Sequence, residues 1–212
     1  MTEELSRADF LRASPPIFES RLLDRLTRVH PAVPVLIFLP AIVAFAFEGF
    51  SRLSVPDALL GVFIGYAVWT ISEYWIHRGL FHFEPKDGIG ARVHWVIHGV
   101  HHDHPNDPKR LVMPPVVSVP IGAAFFFLFY AIVGLPSAWP VAAGFFAGYL
   151  AYDMIHFALH HGRAHGRVTK LLRELHMRHH FEDDRCGFAI SAPWWDVAFR
   201  TYSPRARRQQ SA

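Results

Sequence analysis

The chain has a single cysteine, Cys186, among its 212 residues. One thiol forms no internal disulfide and leaves no Cys-x-x-Cys pair for thiolate-bound zinc, so Cys186 reads as a small filler side chain. Charge is scarce too: Asp, Glu, Lys and Arg together make up 18% of the sequence, and the formal net charge is +3. That balance speaks against nucleic acid as a partner, since such proteins concentrate positive charge on one face. No secretory signal is evident, because MTEELSRADFLR is charged and no small-residue cleavage site follows a compact apolar core. The His-Glu-x-x-His motif is also missing. A zinc hydrolase would lack its usual general base without it.

Apolar residues are abundant. They make up 51% of the chain, with nineteen Phe and six Trp, a balance that suits a small integral membrane protein of one domain. Four apolar stretches stand out: Val33 to Phe47, Ala58 to Ile76, Val116 to Leu135, and Ala138 through Tyr152 towards His160. The last three approach the roughly 20 residues that cross about 30 Å of hydrocarbon. The first is shorter and contains Pro34 and Pro40, so it spans if the helix kinks or the bilayer thins. The predicted fold is all-α, a four-helix transmembrane bundle under a cytosolic helical cap. Residues 1–32 form an N-terminal cytosolic or interfacial segment, 33–201 the membrane domain, and 202–212 a basic tail. In the first segment Leu22, Leu23 and Leu26 share a face among basic residues, which fits either the bilayer surface or a solvated linker.

Four spans put both termini and the loop between the second and third spans on one side of the membrane. Twenty of the twenty-one Lys and Arg residues fall on that side, and only Arg52 lies opposite. The positive-inside rule makes it the cytoplasmic side.

Fourteen of the fifteen histidines lie between His77 and His180, leaving His30 outside. They gather as His77 and His82 in HRGLFH, His98, His101 and His102 in HGVHH, His156 and His160 in HFALH, and His176, His179 and His180 in HMRHH. All four groups fall on the cytoplasmic side of the four-span topology. Helical residues three and four apart share a face, so each HxxHH trio can offer up to three nitrogens to one cavity. The five-residue step from His77 to His82 fits a helix end whose last turn loosens. Ten nitrogens exceed what a single zinc needs and point to a dinuclear site. Imidazole suits zinc, copper, iron and nickel alike. Iron is preferred, because an oxygen-activating pair at a membrane surface accounts for an apolar chain with no hydrolytic machinery.

Glu73 and Asp153 lie about one turn before His77 and His156, and Glu174 lies two residues before His176. Their expected role is to orient imidazoles through the free N–H, with a plain helix-surface charge as the alternative. His94 can extend the metal-facing stripe, whereas His104, His161 and His165 read as interfacial or hydrogen-bonding residues and His30 as unrelated. Trp75, Trp95, Trp194 and Trp195 read as interface anchors. Asn106, Asp107, Lys109 and Arg110 read as a loop network or a headgroup contact.

The ordered set HRGLFH, HGVHHDHPNDPKRLVMPP, YDMIHFALHHG, HMRHHF and GFAISAPWWDVAFRT resembles the fatty acid hydroxylase superfamily, in its sterol desaturase group, over roughly residues 70 to 201. It is most similar to fatty acid 2-hydroxylases of sphingolipid acyl chains. The resemblance implies metal binding by His77, His82, His98, His101, His102, His156, His160, His176, His179 and His180. The resemblance further implies that the metal is di-iron in the active enzyme, with zinc able to replace the iron during purification. It also implies O2-dependent hydroxylation of a membrane lipid at C2 of a fatty acid or ceramide. Eukaryotic relatives often begin with a cytochrome b5 domain that the first 32 residues do not accommodate, so a separate cytochrome b5-like or ferredoxin-like donor is expected. Competing readings are a sterol, hopanoid or carotenoid hydroxylase or desaturase of the same superfamily, a membrane metal transporter, and a zinc hydrolase. The transporter reading is disfavoured because no histidine sits mid-span.

Overall fold

In the computed structural model, residues 5–202 are described, and among them every regular element is helical. Two short helices, α1 (Arg7–Arg12) and α2 (Arg21–Leu26), precede the first long one. Ser6 and Ser20 cap them by accepting the N–H of Asp9 and Leu23. Four helices are long and apolar enough to cross a membrane: α3 (Ala32–Arg52), α4 (Val55–Ile76, continuing to Phe81), α7 (Pro115–Val133) and α8 (Ala138–His161). Between them lie α5 (Gly88–His94) and α6 (Val100–Asp103). After them come α9 (Gly166–Phe181) and α10 (Trp194–Ala198). Apart from Tyr202, the predicted basic tail falls outside the described residues.

The first span is longer than its apolar run, because the helix continues through Glu48 to Arg52. Its 21 residues rise about 31 Å. Pro34 sits in the first turn, where its missing N–H would have no helical partner. Arg52 Nε meets Glu48 at 2.6 Å one turn away. Leu53 and Ser54 link α3 to α4, and Ser54 Oγ accepts the N–H of Asp57 at 3.3 Å to start the second span.

Helix α8 is the central post. Fifteen of its 24 residues are buried, against three in α3 and three in α7, so the other spans surround it and turn Leu36, Phe47, Phe63, Phe127 and Ile132 outward. It reaches this position by shedding side-chain bulk. A Cβ on Gly144 would collide with the carbonyl of Val62, and one on Gly65 with the carbonyl of Val141. Helices α4 and α8 therefore pack backbone to backbone there, the small-residue contact by which membrane helices associate. Helix α7 makes fewer contacts with α8 than α3 and α4 do, and a cavity of about 590 Å³ lies along its inner face.

At the end of the bundle where α4 and α8 finish, α5, α6, α9 and α10 form the cap. The N-terminal segment straps across it. Val29 N–H donates to the Lys109 carbonyl at 2.6 Å, Asn106 N–H to the Leu11 carbonyl at 3.0 Å, and Arg110 Nη2 meets Asp24 at 2.9 Å. The segment carries exposed Leu22, Leu23 and Leu26 on α2. It is packed on the loop between α6 and α7, with Ile17 and Val29 buried.

Candidate metal centre

Local backbone geometry gathers the histidines. Past Ile76, α4 rewinds as a π-helical turn over His77–Phe81, and His82 N–H donates to the His77 carbonyl at 3.1 Å. This i to i+5 step is what a π-turn places on one face, and the two rings lie 5.0 Å apart. It is the loosened last turn the spacing predicts. A second π-turn, Trp95–Gly99, joins α5 to α6 and carries His98. On α8, His156 and His160 sit one turn apart with rings 5.1 Å apart. On α9, His176 and His180 do the same at 4.6 Å.

Two clusters result. His77, His82, His98, His102 and His179 form the first, and His101, His156, His160, His176 and His180 the second. Within each, one donor atom per residue lies within 4.8 Å of every other. All ten histidines singled out in the sequence are thus brought together. The structure differs from the sequence expectation in how they divide. Each HxxHH trio splits: His98 and His102 join the first cluster while His101 joins the second, and His179 joins the first while His176 and His180 join the second. The reason is angular. Adjacent helical residues diverge by about 100°, so His101 and His102, with rings 6.0 Å apart, enter different clusters from the same helix. The clusters adjoin, with the His102 and His180 rings 4.4 Å apart.

The nitrogens fit metal better than they fit each other. His77 Nδ1 lies 2.6 Å from the Phe188 carbonyl and His179 Nδ1 2.7 Å from the Cys186 carbonyl. A carbonyl only accepts, so both Nδ1 atoms carry the proton, and in the neutral ring Nε2 holds a lone pair. His98 Nε2 stands 3.1 Å from His77 Nε2 and 3.0 Å from His102 Nε2, and one N–H cannot serve both. In the second cluster His176 Nε2 is 2.7 Å from His160 Nε2 and 3.1 Å from His180 Nε2. The Nε2 atoms of His101 and His156 are buried without any hydrogen-bond partner. Native interiors rarely leave such atoms unpaired, whereas converging imidazole lone pairs are the donor set of a transition metal. Burial, reinforced by neighbouring imidazoles, pushes His82 down to about 3 and His102 to about 2, and holds His98, His101, His176 and His180 well below the usual range. The rings are therefore neutral near pH 7, the form that ligates.

The remaining histidines stay out of both clusters. His94 Nε2 lies 3.9 Å from Glu84, buried His104 donates from Nδ1 to the Phe10 carbonyl at 2.7 Å, and His30, His161 and His165 are exposed. The expectation that Glu73 and Asp153 orient imidazoles is corrected. Glu73 accepts the Ser191 N–H at 2.7 Å and the Ser191 hydroxyl, and Asp153 accepts the Tyr149 hydroxyl at 3.3 Å. Neither reaches a ring nitrogen. Glu174 pairs with Arg178 on the face of α9. Arg110 is buried and bonded to Asp24 and to the Pro15 carbonyl, the loop network rather than a headgroup contact. Trp195 Nε1 donates to Thr70 and Trp95 Nε1 to Asp103, while Trp75 and Trp194 are exposed.

Backbone carbonyls take the orienting role, which no side-chain identity announces. Cys186 acts through its carbonyl, with the thiol incidental. The loop carrying it is pinned by Asp196, which accepts the N–H groups of Phe188 and Ala189, each at 2.9 Å, and the Thr201 hydroxyl at 2.8 Å. Thr201 in turn meets the Tyr74 hydroxyl at 3.0 Å. The cavity along α7 reaches both clusters, since His98, His101 and His156 are part of its wall.

A family described as fatty acid hydroxylase matches residues 62–201. The chain is 37% identical over 192 residues to a dihydroceramide fatty acyl 2-hydroxylase of Arabidopsis thaliana, covering 90% of this chain and 81% of that protein. It is 35% identical over 194 residues to a ceramide very long chain fatty acid hydroxylase of Saccharomyces cerevisiae, covering 90% of this chain but 50% of that one. A fatty acid 2-hydroxylase of Rattus norvegicus is 40% identical over 168 residues, covering 74% and 45%. Among solved structures, full-length scs7p, with only its hydroxylase domain visible, superposes with a TM-score of 0.83 at 34% identity, covering 87% of this chain and 70% of that one.

Proposed function

The chain belongs to the fatty acid hydroxylase family, and on that premise we propose that it is an integral-membrane di-iron monooxygenase. Its proposed substrate is a lipid acyl chain, hydroxylated at C2 of a fatty acid or ceramide. The observation that carries this reading is the joining of an apolar cavity to two adjacent histidine clusters. A polar or cationic cargo has no use for such a wall, and an alkyl chain does.

The overall change is R–H + O2 + 2e⁻ + 2H⁺ → R–OH + H2O, with the electrons supplied by a cytochrome b5-like or ferredoxin-like donor. Two iron ions, one held by His77, His82, His98, His102 and His179 and the other by His101, His156, His160, His176 and His180, supply the oxidising power that an unactivated C–H bond demands. The protein's own contribution is positional. The Phe188 and Cys186 carbonyls fix the His77 and His179 tautomers, so both present Nε2 inward. Leu111, Val112 and Met113, which line the same cavity as His101, exclude bulk water from the reacting carbon. The polar end of the lipid lies at the membrane surface under the cap, which the Lys and Arg distribution assigns to the cytoplasm. Residues 33–201 form the catalytic membrane domain in this reading, with the N-terminal strap as its cover.

Mass spectrometry of lipids from a host that makes no hydroxylated acyl chains tests the proposal. Expression should yield 2-hydroxy acyl chains, lost on withdrawing O2 and absent from a His179→Ala variant. Hydroxylated sterol in place of acyl product, or product independent of O2, rules the reading out.

A further inference from the structure

The cavity that reaches the histidines runs down the bundle, and the last residues to line it on α7 and α8 are aromatic. Along α8 its wall runs from His156 to Phe145 and Phe146, and along α7 it stops at Phe125, with no lining residue farther from the cap on either helix. Between His156 and Phe145 the helix rises about 16 Å. At that depth the rings of Phe125 and Phe145 lie 4.5 Å apart, those of Phe145 and Phe146 5.7 Å, and Phe38 stands 5.7 Å from Phe146. Phe145 and Phe146 are 2% and 5% exposed, so this end has little room to yield. The facing wall is bare at one place. Gly122 lines the cavity, and a Cβ there would stand 3.0 Å from Phe146.

We infer that Phe125, Phe145 and Phe146 set the length of alkyl chain the enzyme accepts, by meeting its methyl end when the carbon to be oxidised lies at the histidines. The inference rests on the acyl-hydroxylase reading above and names the residues that give that site its selectivity. Each added methylene gains apolar burial until the chain touches the rings. Past that point further length forces side chains out of their packed positions. The rings at this end offer no polar atom, so what is recognised there is apolar length. Gly122 keeps the approach to the rings open, since any side chain there would occupy the space just above Phe146.

The experiment compares the full-length protein with its Phe146→Ala, Phe125→Leu and Gly122→Leu variants. Each is expressed in a host lacking hydroxylated acyl chains and supplied with an equal mixture of saturated fatty acids of graded length. Mass spectrometry reads two things: the lengths of the hydroxylated chains, and the lengths of the chains that co-purify with the detergent-extracted protein. A single methylene in an apolar pocket is worth about tenfold or more. The ratio of long to short chains should therefore rise about tenfold in Phe146→Ala, rise less in Phe125→Leu, and fall about tenfold in Gly122→Leu. Variants that still hydroxylate but keep the wild-type length profile overturn the inference and leave the proposed function intact. A shifted profile of co-purified chains with no hydroxylated product supports the inference and removes the proposed function.

Discussion

Asp196 Oδ1 accepts the backbone N–H of Phe188 at 2.9 Å, while the carbonyl of that same Phe188 holds His77 Nδ1 at 2.6 Å. A buried carboxylate thus reaches the first histidine cluster through one residue, Phe188. Asp196→Asn keeps the shape but replaces one acceptor oxygen with an NH2 donor that faces a backbone N–H. Loss of such supporting contacts typically costs about tenfold or more in metal affinity. Chelator titration of the purified variant should therefore strip one population of ions at about a tenth of the wild-type chelator concentration and leave the other unchanged. Equal weakening of both populations would show that Asp196 serves only the general fold.

Because His101 and His102 point into different clusters, pairs of variants should not behave alike. His101→Ala with His180→Ala removes two donors from one cluster and spares the other. His101→Ala with His102→Ala damages both. Metal analysis should find the first pair retaining about half the wild-type metal and the second retaining less, with hydroxylation lost in each. Identical retention in the two pairs would contradict the division of ligands.

The four spans, the all-helical class and the ten clustered histidines were legible because each rests on a one-dimensional signal: a run of apolar residues, or a residue type at a fixed step. The division of the trios was not, since it depends on how α6 and α9 are rotated about their axes, which neighbours decide. Nor were the true partners of Glu73 and Asp153 visible. Ser191 lies 118 residues from Glu73, and sequence proximity to a histidine is a poor guide once a carboxylate can reach across the bundle. The cap's carbonyl contacts leave no trace in side-chain identity. Cys186 illustrates this, since its thiol suggested filler and its carbonyl positions His179.

Acidity should destabilise the metal-free protein. His82 is depressed to about 3 and His102 to about 2, burial being the main cause and His179 the next. In the unfolded chain both return to about 6.5. Between those values the unfolded state takes up protons that the folded state refuses, so stability is full above about pH 6.5 and falls as pH falls below it. Thermal unfolding of metal-stripped protein in detergent should show a lower Tm at pH 5 than at pH 7.5. A flat profile across that interval would mean that the clusters stay hydrated and protonate in place.

The strap over the cap depends on Arg110, whose side chain is 3% exposed and meets Asp24 at 2.9 Å. Asp24 also accepts the Ile17 N–H at 2.8 Å and Arg28 Nε at 2.9 Å, so one carboxylate ties two parts of the strap to each other and to the loop beneath it. Asp24→Asn leaves Arg28 without its counter-charge and Arg110 with Asp107 alone, 3.7 Å away. Loss of a charged hydrogen-bond partner costs about 1.5–3 kcal/mol. Hydrogen exchange should accelerate at Ile17 and across α2 by about tenfold or more, with α8 unaffected. Unchanged exchange at Ile17 would assign the strap's hold to its buried apolar residues, Ile17 and Val29.

Gly144 and Gly65 bring the α4 and α8 backbones together, and both clusters hang from the ends of these two helices. Gly144→Ala already places a methyl against the Val62 carbonyl, and no rotamer relieves a clash that begins at Cβ. The helices must separate, at a cost of about 1–3 kcal/mol or more for overpacking. Separation at Gly144 is carried along both helices to His77 and His156. The variant should therefore lose thermal stability and metal together, with metal retention falling in both clusters. Gly79→Ala, at a position where a Cβ would meet nothing within 4 Å, should leave the fold's stability near wild type. If Gly144→Ala unfolds at the wild-type temperature with its metal in place, the close approach of α4 and α8 is not what sets the spacing of the site.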